Sequence, residues 1–244
     1  NVFLCATESA SIILQSTPNI ASRAVFEPMT QMCFWEFQMI KNKIYPTPGL
    51  KNKIRQAIYF SETAREAYEK LYSLAGEVNN YWSKIDRHDV KKYLSYGTFP
   101  FALTMPDDIS IYNNISLLLE KIIKQDMPTL GSFDQDTLGA VKRILFAIAE
   151  NDVTSVSVLA NKFDINRLTI ANIFDTLEKA ELLVKIPPHG SNMTIANKPN
   201  KYLFMSPAIR MSFFYFTGNE NTYLTRQGKL LLRRVLVARI KNKS

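Results

Sequence analysis

Between Leu138 and Met205 the spacing of apolar residues changes from helical to strand-like, and this restricts the fold more than any other feature of the chain. From Leu138 to Ala149, the residues Val141, Ile144, Leu145 and Ile148 recur at intervals of three and four and share one helical face. Thr154-Ser155 is a cap signal for a second, shorter helix carrying Val158, Leu159 and Phe163. Asp164-Ile165-Asn166 reads as a tight turn. A third helix follows, with Leu168, Ile170, Ile173, Phe174 and Leu177 as its apolar face. Leu182 to Ile186 then reads as a strand. Pro187 to Pro199 is a polar loop, and Tyr202 to Met205 reads as the return strand. Three helices and a β-hairpin in this order predict a winged helix-turn-helix over residues 134–216.

In such a module the second helix holds the third, whose polar face is left free for a groove. That face predicts DNA contacts from Asn166, Arg167, Thr169 and Asn172, and the wing adds Lys185, Lys198 and Lys201. The net charge of +8 favours the same half of the chain. Residues 1–137 hold 14 basic against 15 acidic residues, residues 138–216 hold 9 against 6, and residues 222–244 hold 7 against none. Sequence preference should be low, because Arg167 is the one arginine on the third helix available to guanine. Asp175, Glu178 and Glu181 oppose a phosphate-facing role, so a protein-contact module stays open beside the DNA reading.

Upstream, residues 1–7 and 24–29 read as short strands around a helix at 8–16, broken by Ser16-Thr17-Pro18-Asn19. Residues 50–95 carry one long helical pattern through Ile54, Ala57, Ile58, Ala64, Ala67, Tyr68, Leu71 and Leu74. Tyr96 to Pro100 reads as a turn. Asp107-Asp108 caps a helix bearing Ile115, Leu118, Leu119, Ile122 and Ile123, and Pro128 ends it. The expected fold is mainly α with a small α/β remnant, a helical lid bundle leading into the winged helix-turn-helix. Four segments follow: 1–48, the end of an α/β domain; 49–133, the helical lid; 134–216, the winged helix; and 217–244, a basic tail or the start of a further domain. Cys5 and Cys33 lack metal or disulfide spacing and read as small buried thiols. No apolar run approaches the ~20 residues of a membrane span, and the cytoplasm is the simplest compartment. The opening on Asn1 and the apolar Val2-Phe3-Leu4 reads as a cut edge.

Several ordered segments resemble one group of prokaryotic AAA-type P-loop ATPases, in which the ATPase domain precedes a helical lid, a winged helix and a nuclease-like terminal domain. Val2 to Thr7 resembles the group's apolar strand ending in Thr-Gly-Ser, and Ile20 to Ala24 its Leu-Ala-Gly-Arg element. Met32 to Phe37 resembles Leu-Ser-Phe-x-Glu-Phe, and Tyr93 to Pro100 resembles Tyr-Leu-x-Tyr-Gly-Gly-Phe-Pro. Asp126 matches a Lys-Asp position, and Lys201 to Arg210 a wing-to-strand motif. Ala6, Ser22 and Thr98 stand where the group has glycine.

The resemblance implies that Thr7 and Arg23 sense the nucleotide γ-phosphate, with ATP and Mg as cofactors of an intact parent. It also implies DNA and other subunits as partners. None of the eight glycines starts a GxxxxGK[ST] run, and no apolar strand ends in paired acids for magnesium. The chain by itself is therefore expected to take no cofactor and to be inactive. Two alternatives remain: a non-enzymatic winged-helix DNA-binding regulator, and a protein-interaction scaffold. Other catalysis has little support, since His88 and His189 are the only histidines and no nucleophile motif accompanies them.

Overall fold

A computed structural model describes residues 16–25, 31–151, 155–188 and 200–215. These residues are mainly helical, with one small two-stranded sheet. They divide into two compact units. Described residues 31–105 belong to one; described residues of 16–25 and 106–215 belong to the other. The strand expected at 1–7 and most of the helix and second strand expected at 8–16 and 24–29 lie outside the described residues. Within 16–25, Pro18 begins a single helical turn, α1 (Pro18–Ala21), so this segment starts a helix as well as ending one. Proline suits that first turn, where its missing N–H has no helical partner to lose.

The unit of residues 31–105 contains α2 (Phe34–Asn42), α3 (Leu50–Tyr59), α4 (Ala64–Ser73), α5 (Ala75–Trp82) and α6 (Arg87–Lys92). A π-helical turn (Tyr93–Gly97) and a 3₁₀ turn (Pro100–Leu103) follow. The helical pattern expected over 50–95 is divided among four helices. Local capping explains the breaks. Thr63 Oγ1 accepts the Glu66 N–H at 3.1 Å, and Asp86 Oδ1 accepts the His88 N–H at 2.9 Å. The left-handed Lys43 (φ 57°) ends α2, and Gly49 (φ 78°) precedes α3. Ala57 and Leu74 are buried as the spacing predicts, but Tyr68 and Leu71 are exposed. No residue of α4 is buried, and its Tyr68 and Tyr72 rings stack on each other, 5.9 Å apart.

In the other unit, α7 (Asp108–Lys121) is capped by Asp107, whose carboxylate accepts the Ser110 N–H at 2.7 Å. The helix does not stop at Pro128. A π-helical turn (Ile122–Asp126) leads into α8 (Met127–Leu130), with Pro128 in the first turn of the new segment. Then come α9 (Gln135–Glu150), α10 (Val156–Phe163) and α11 (Arg167–Lys179), capped by Asp134, Ser155 and Asn166. Strands β1 (Leu183–Ile186) and β2 (Lys201–Phe204) pair antiparallel, and α12 (Pro207–Tyr215) follows.

Val141, Ile144, Leu145 and Ile148 of α9 are buried, as are Ile170, Ile173, Phe174 and Leu177 of α11. Two expectations fail here. Leu168 is 69% exposed and Val158 59%, so neither belongs to the core. Around α11, Leu168 lies on the side away from Ile173 and Leu177, where the 100° step per residue puts it. No described helix is long and apolar enough to cross a membrane.

Candidate nucleic-acid interface

The turn between α10 and α11 is built from three short-range devices. Asp164 takes the left-handed conformation (φ 54°) that ends α10. The Ile165 N–H bonds back to the Ala160 carbonyl at 3.1 Å. Asn166 Oδ1 then accepts the Leu168 N–H at 2.8 Å and starts α11. One acceptor of the Asn166 amide is therefore engaged in its own helix.

The hairpin docks on α11 through Tyr202, whose ring stacks on Phe174 with centroids 3.9 Å apart. Burial pushes the Tyr202 phenol up from its ordinary value, and the nearby Asp175 and Glu178 add to the rise against an opposing Asn200 hydrogen bond. The register pairs Lys185 with Tyr202 and Ile186 with Lys201. Side chains alternate along a strand, so Lys185 lies on the Tyr202 face and Lys201 on the opposite one. Lys185 accordingly meets Asp175 of α11, Nζ to Oδ1 3.8 Å.

The residues expected to bind DNA are thus only partly brought together. Arg167 and Asn172 are exposed on α11, and Thr169 is half-buried. Lys185 is half-buried and has a carboxylate beside it, Lys201 faces away, and Lys198 lies outside the described residues. On α11 itself, Arg167 and Lys179 are matched in charge by Asp175 and Glu178. Thr7 also lies outside the described residues. Arg23 is exposed in the turn after α1, its N–H bonded to the Ile20 carbonyl at 3.0 Å.

Two segments far apart in sequence do meet, in the unit of residues 31–105. Met32, Phe37 and Tyr93 form one buried cluster, with Phe34, Leu94 and Leu103 packed against it. The Tyr93 hydroxyl donates to the Met32 carbonyl at 3.1 Å, and the Met32 N–H donates to the Thr98 carbonyl at 3.2 Å. Gly97 has to be small: a Cβ there would lie 2.8 Å from the Phe37 ring. Cys33, expected to be buried, is half-buried at the cap of α2. Its N–H donates to Glu36 Oε2 at 2.7 Å, which lowers the Glu36 carboxyl, while burial raises the Cys33 thiol.

The same unit holds one ion cluster. Lys41 and Asn42 of α2 both donate to Asp89 of α6, and Asn42 also donates to Gln38 at 2.7 Å. Burial alone would raise the Asp89 carboxyl, but the bonds from Lys41 and Asn42 outweigh it and hold it below its ordinary value. A carboxyl depressed in the folded state stabilises the fold above its unfolded pKa, and that contribution is lost as pH falls through the folded value. We expect Asp89→Asn to cost about 1–3 kcal/mol at neutral pH. Denaturant unfolding of both proteins at pH 7 and at about pH 3 should show the gap narrowing in acid, below the ordinary carboxylate range. A gap independent of pH would refute this account.

A family model described as "Domain of unknown function (DUF8612)" matches residues 87–220, more than half of the chain. The chain belongs to this family. DUF8612 covers α6 onward and thus includes both π-helical turns, the α9–α11 helices and the hairpin. The chain is also 32% identical over 220 residues to an uncharacterized protein, MJ1637, of Methanocaldococcus jannaschii. That alignment takes in 89% of the chain but 44% of the relative, so the chain spans about half the length of the curated relative it matches. No solved structure matches.

The sequence reading passed over two exposed cations in the DUF8612 region, Arg143 of α9 and Lys162 of α10. Both lie over the Phe163 ring, at 5.8 Å and 5.7 Å from its centroid. Helical spacing did hold a signal for Lys162, one turn after the exposed Val158. Nothing in sequence spacing connects Arg143 to it, because the two sit on different helices.

Proposed function

We propose that residues 134–216 form a winged helix-turn-helix that contacts duplex DNA, and that the module belongs to a nucleotide-dependent switch of the AAA-type ATPase kind, acting in the cytoplasm. The observation that carries the DNA reading is the order α9, α10, left-handed turn, α11, hairpin, with Arg167 and Leu168 exposed at the start of α11. An exposed helix start beside a hairpin is the geometry with which such modules enter a major groove. The ATPase reading is supported by the convergence of Met32 to Phe37 with Tyr93 to Thr98, two of the segments that resemble that group. In this reading ATP and Mg bind upstream elements of a longer protein, with Thr7 and Arg23 on the γ-phosphate side.

The experiment for the DNA reading is a titration of the purified chain with labelled duplexes of unrelated sequence at two salt concentrations. Binding that weakens steeply with salt and differs little among duplexes is expected. Absence of binding would favour a second reading, a protein-contact module, for which the exposed Leu168 and Val158 speak. For the ATPase reading, the chain alone should show no ATP turnover, since it lacks a phosphate cradle. Turnover by the purified chain would overturn that expectation.

A further inference from the structure

We propose that Arg143 and Lys162 form a clamp for the phosphate backbone of a nucleic acid, placed at the α10–α11 turn and not on the wing. This inference rests on the DNA-contact reading of the module and moves the main phosphate site within it. The two side chains come from different helices and converge on one half-buried ring, Phe163. With their cationic centres 5.8 Å and 5.7 Å from the same centroid, they are separated by no more than the sum of those distances. That is the scale of a few nucleotide steps, each about 3.4 Å along the axis of one strand.

Among the described cations of residues 106–215, Lys121, Arg143, Lys162, Arg167, Lys179 and Lys201 form no ion pair, and of these Arg143 and Lys162 are the two that share a ring. Lys124 and Lys142 both pair with Glu120, and Lys185 has Asp175 beside it. Arg143 and Lys162 are exposed and form no ion pair among the described residues. Arg167 is exposed just across the turn, at the first position of α11. The start of α11 adds the partial positive charge of a thirteen-residue helix. Within the turn itself, Asp164 is the one acid between Lys162 and Arg167 in the chain. On the hairpin, Lys201 and Lys185 point to opposite sides and cannot serve one backbone together.

The Phe163 ring gives the pair a further property. Cation–π attraction holds both long side chains over the ring before any ligand arrives. Less rotamer freedom is then lost on binding than for a free surface lysine. A ring face accepts N–H groups only weakly, so the guanidinium and ammonium keep most of their donor capacity for phosphate oxygens.

The test is a fluorescence anisotropy titration of the whole chain with a labelled duplex at roughly 50 and 200 mM salt. The wild type is compared with Arg143→Gln/Lys162→Gln and with Lys185→Gln/Lys201→Gln. The clamp predicts that the first variant loses about two units of salt slope, and that affinity falls alike for unrelated duplexes. The second variant should keep the wild-type slope. The charge-preserving Arg143→Lys/Lys162→Arg should also keep it, which separates charge from packing on Phe163. Denaturant unfolding checks that each variant is folded. If the double glutamine variant is not, Lys162→Gln alone should lose about one unit. A wild type that binds while the glutamine variants keep its slope overturns the clamp and leaves the DNA reading standing. So does a slope lost through Lys185 and Lys201. A wild type that binds no duplex overturns both.

Discussion

Phe174→Ala should destabilise the unit of residues 106–215 by about 4 kcal/mol, the largest single effect we expect in this chain. Phe174 is fully buried on α11, and its ring lies nearly parallel to that of Tyr202, 7° apart at a centroid distance of 3.9 Å. Truncation removes the ring's burial and leaves a cavity between α11 and β2, with Tyr202 facing empty space on one side. The hairpin should suffer most, since two strands of four residues cannot hold themselves together in water. Hydrogen exchange should therefore speed up over 183–186 and 201–204 more than in α9. Uniform acceleration throughout the unit, with no excess in the strands, would show that Phe174 supports the core generally and not the hairpin in particular.

Arg210→Met should cost about 3 kcal/mol by denaturant unfolding, although it keeps an unbranched side chain of similar length. Arg210 of α12 is buried, and its Nε donates to the Ala149 carbonyl at 2.9 Å. That carbonyl belongs to the last turn of α9, where no further helical N–H is available to it. The guanidinium also opposes the negative end of the α9 dipole. Methionine would leave a buried carbonyl without its donor. A change below about 0.5 kcal/mol, the range of neutral surface substitutions, would show that water or another group takes over the bond.

Much of the helical part of 134–216 could be read from residue spacing alone. The core positions of α9 and α11 repeat at three and four, and Asp134, Ser155 and Asn166 are chemically suited caps that the structure uses as such. Leu168 was misplaced because a leucine in a helical pattern counts as core whichever way the 100° step turns it. The breaks within 50–95 are set by Thr63 and Asp86, whose capping depends on backbone angles that spacing does not encode.

The candidate site was less legible. A list of lysines does not reveal pleat alternation, and it is the strand register that separates Lys185 from Lys201. Arg143 and Lys162 are nineteen residues apart, and only tertiary packing sets both over Phe163. The cluster of Met32, Phe37 and Tyr93 shows the same limit, since α2 and the turn after α6 meet across sixty residues of chain.

The two π-helical turns, Tyr93–Gly97 and Ile122–Asp126, have a consequence for insertions and deletions. The first closes the helix begun by α6, and the second makes room for an additional residue in what is otherwise a regular helix from α7 to α8. Without that accommodation, one added residue would rotate everything downstream by about 100° about the helix axis. Met127 directly follows the second turn and is fully buried. Removing one residue from 122–126 would convert the turn to a plain α-helix and leave Met127 in phase, whereas adding a further residue would swing Met127 out of its place, with Pro128 carried round beside it. The phase of α8 should thus survive the loss of one residue from this turn far better than the gain of one.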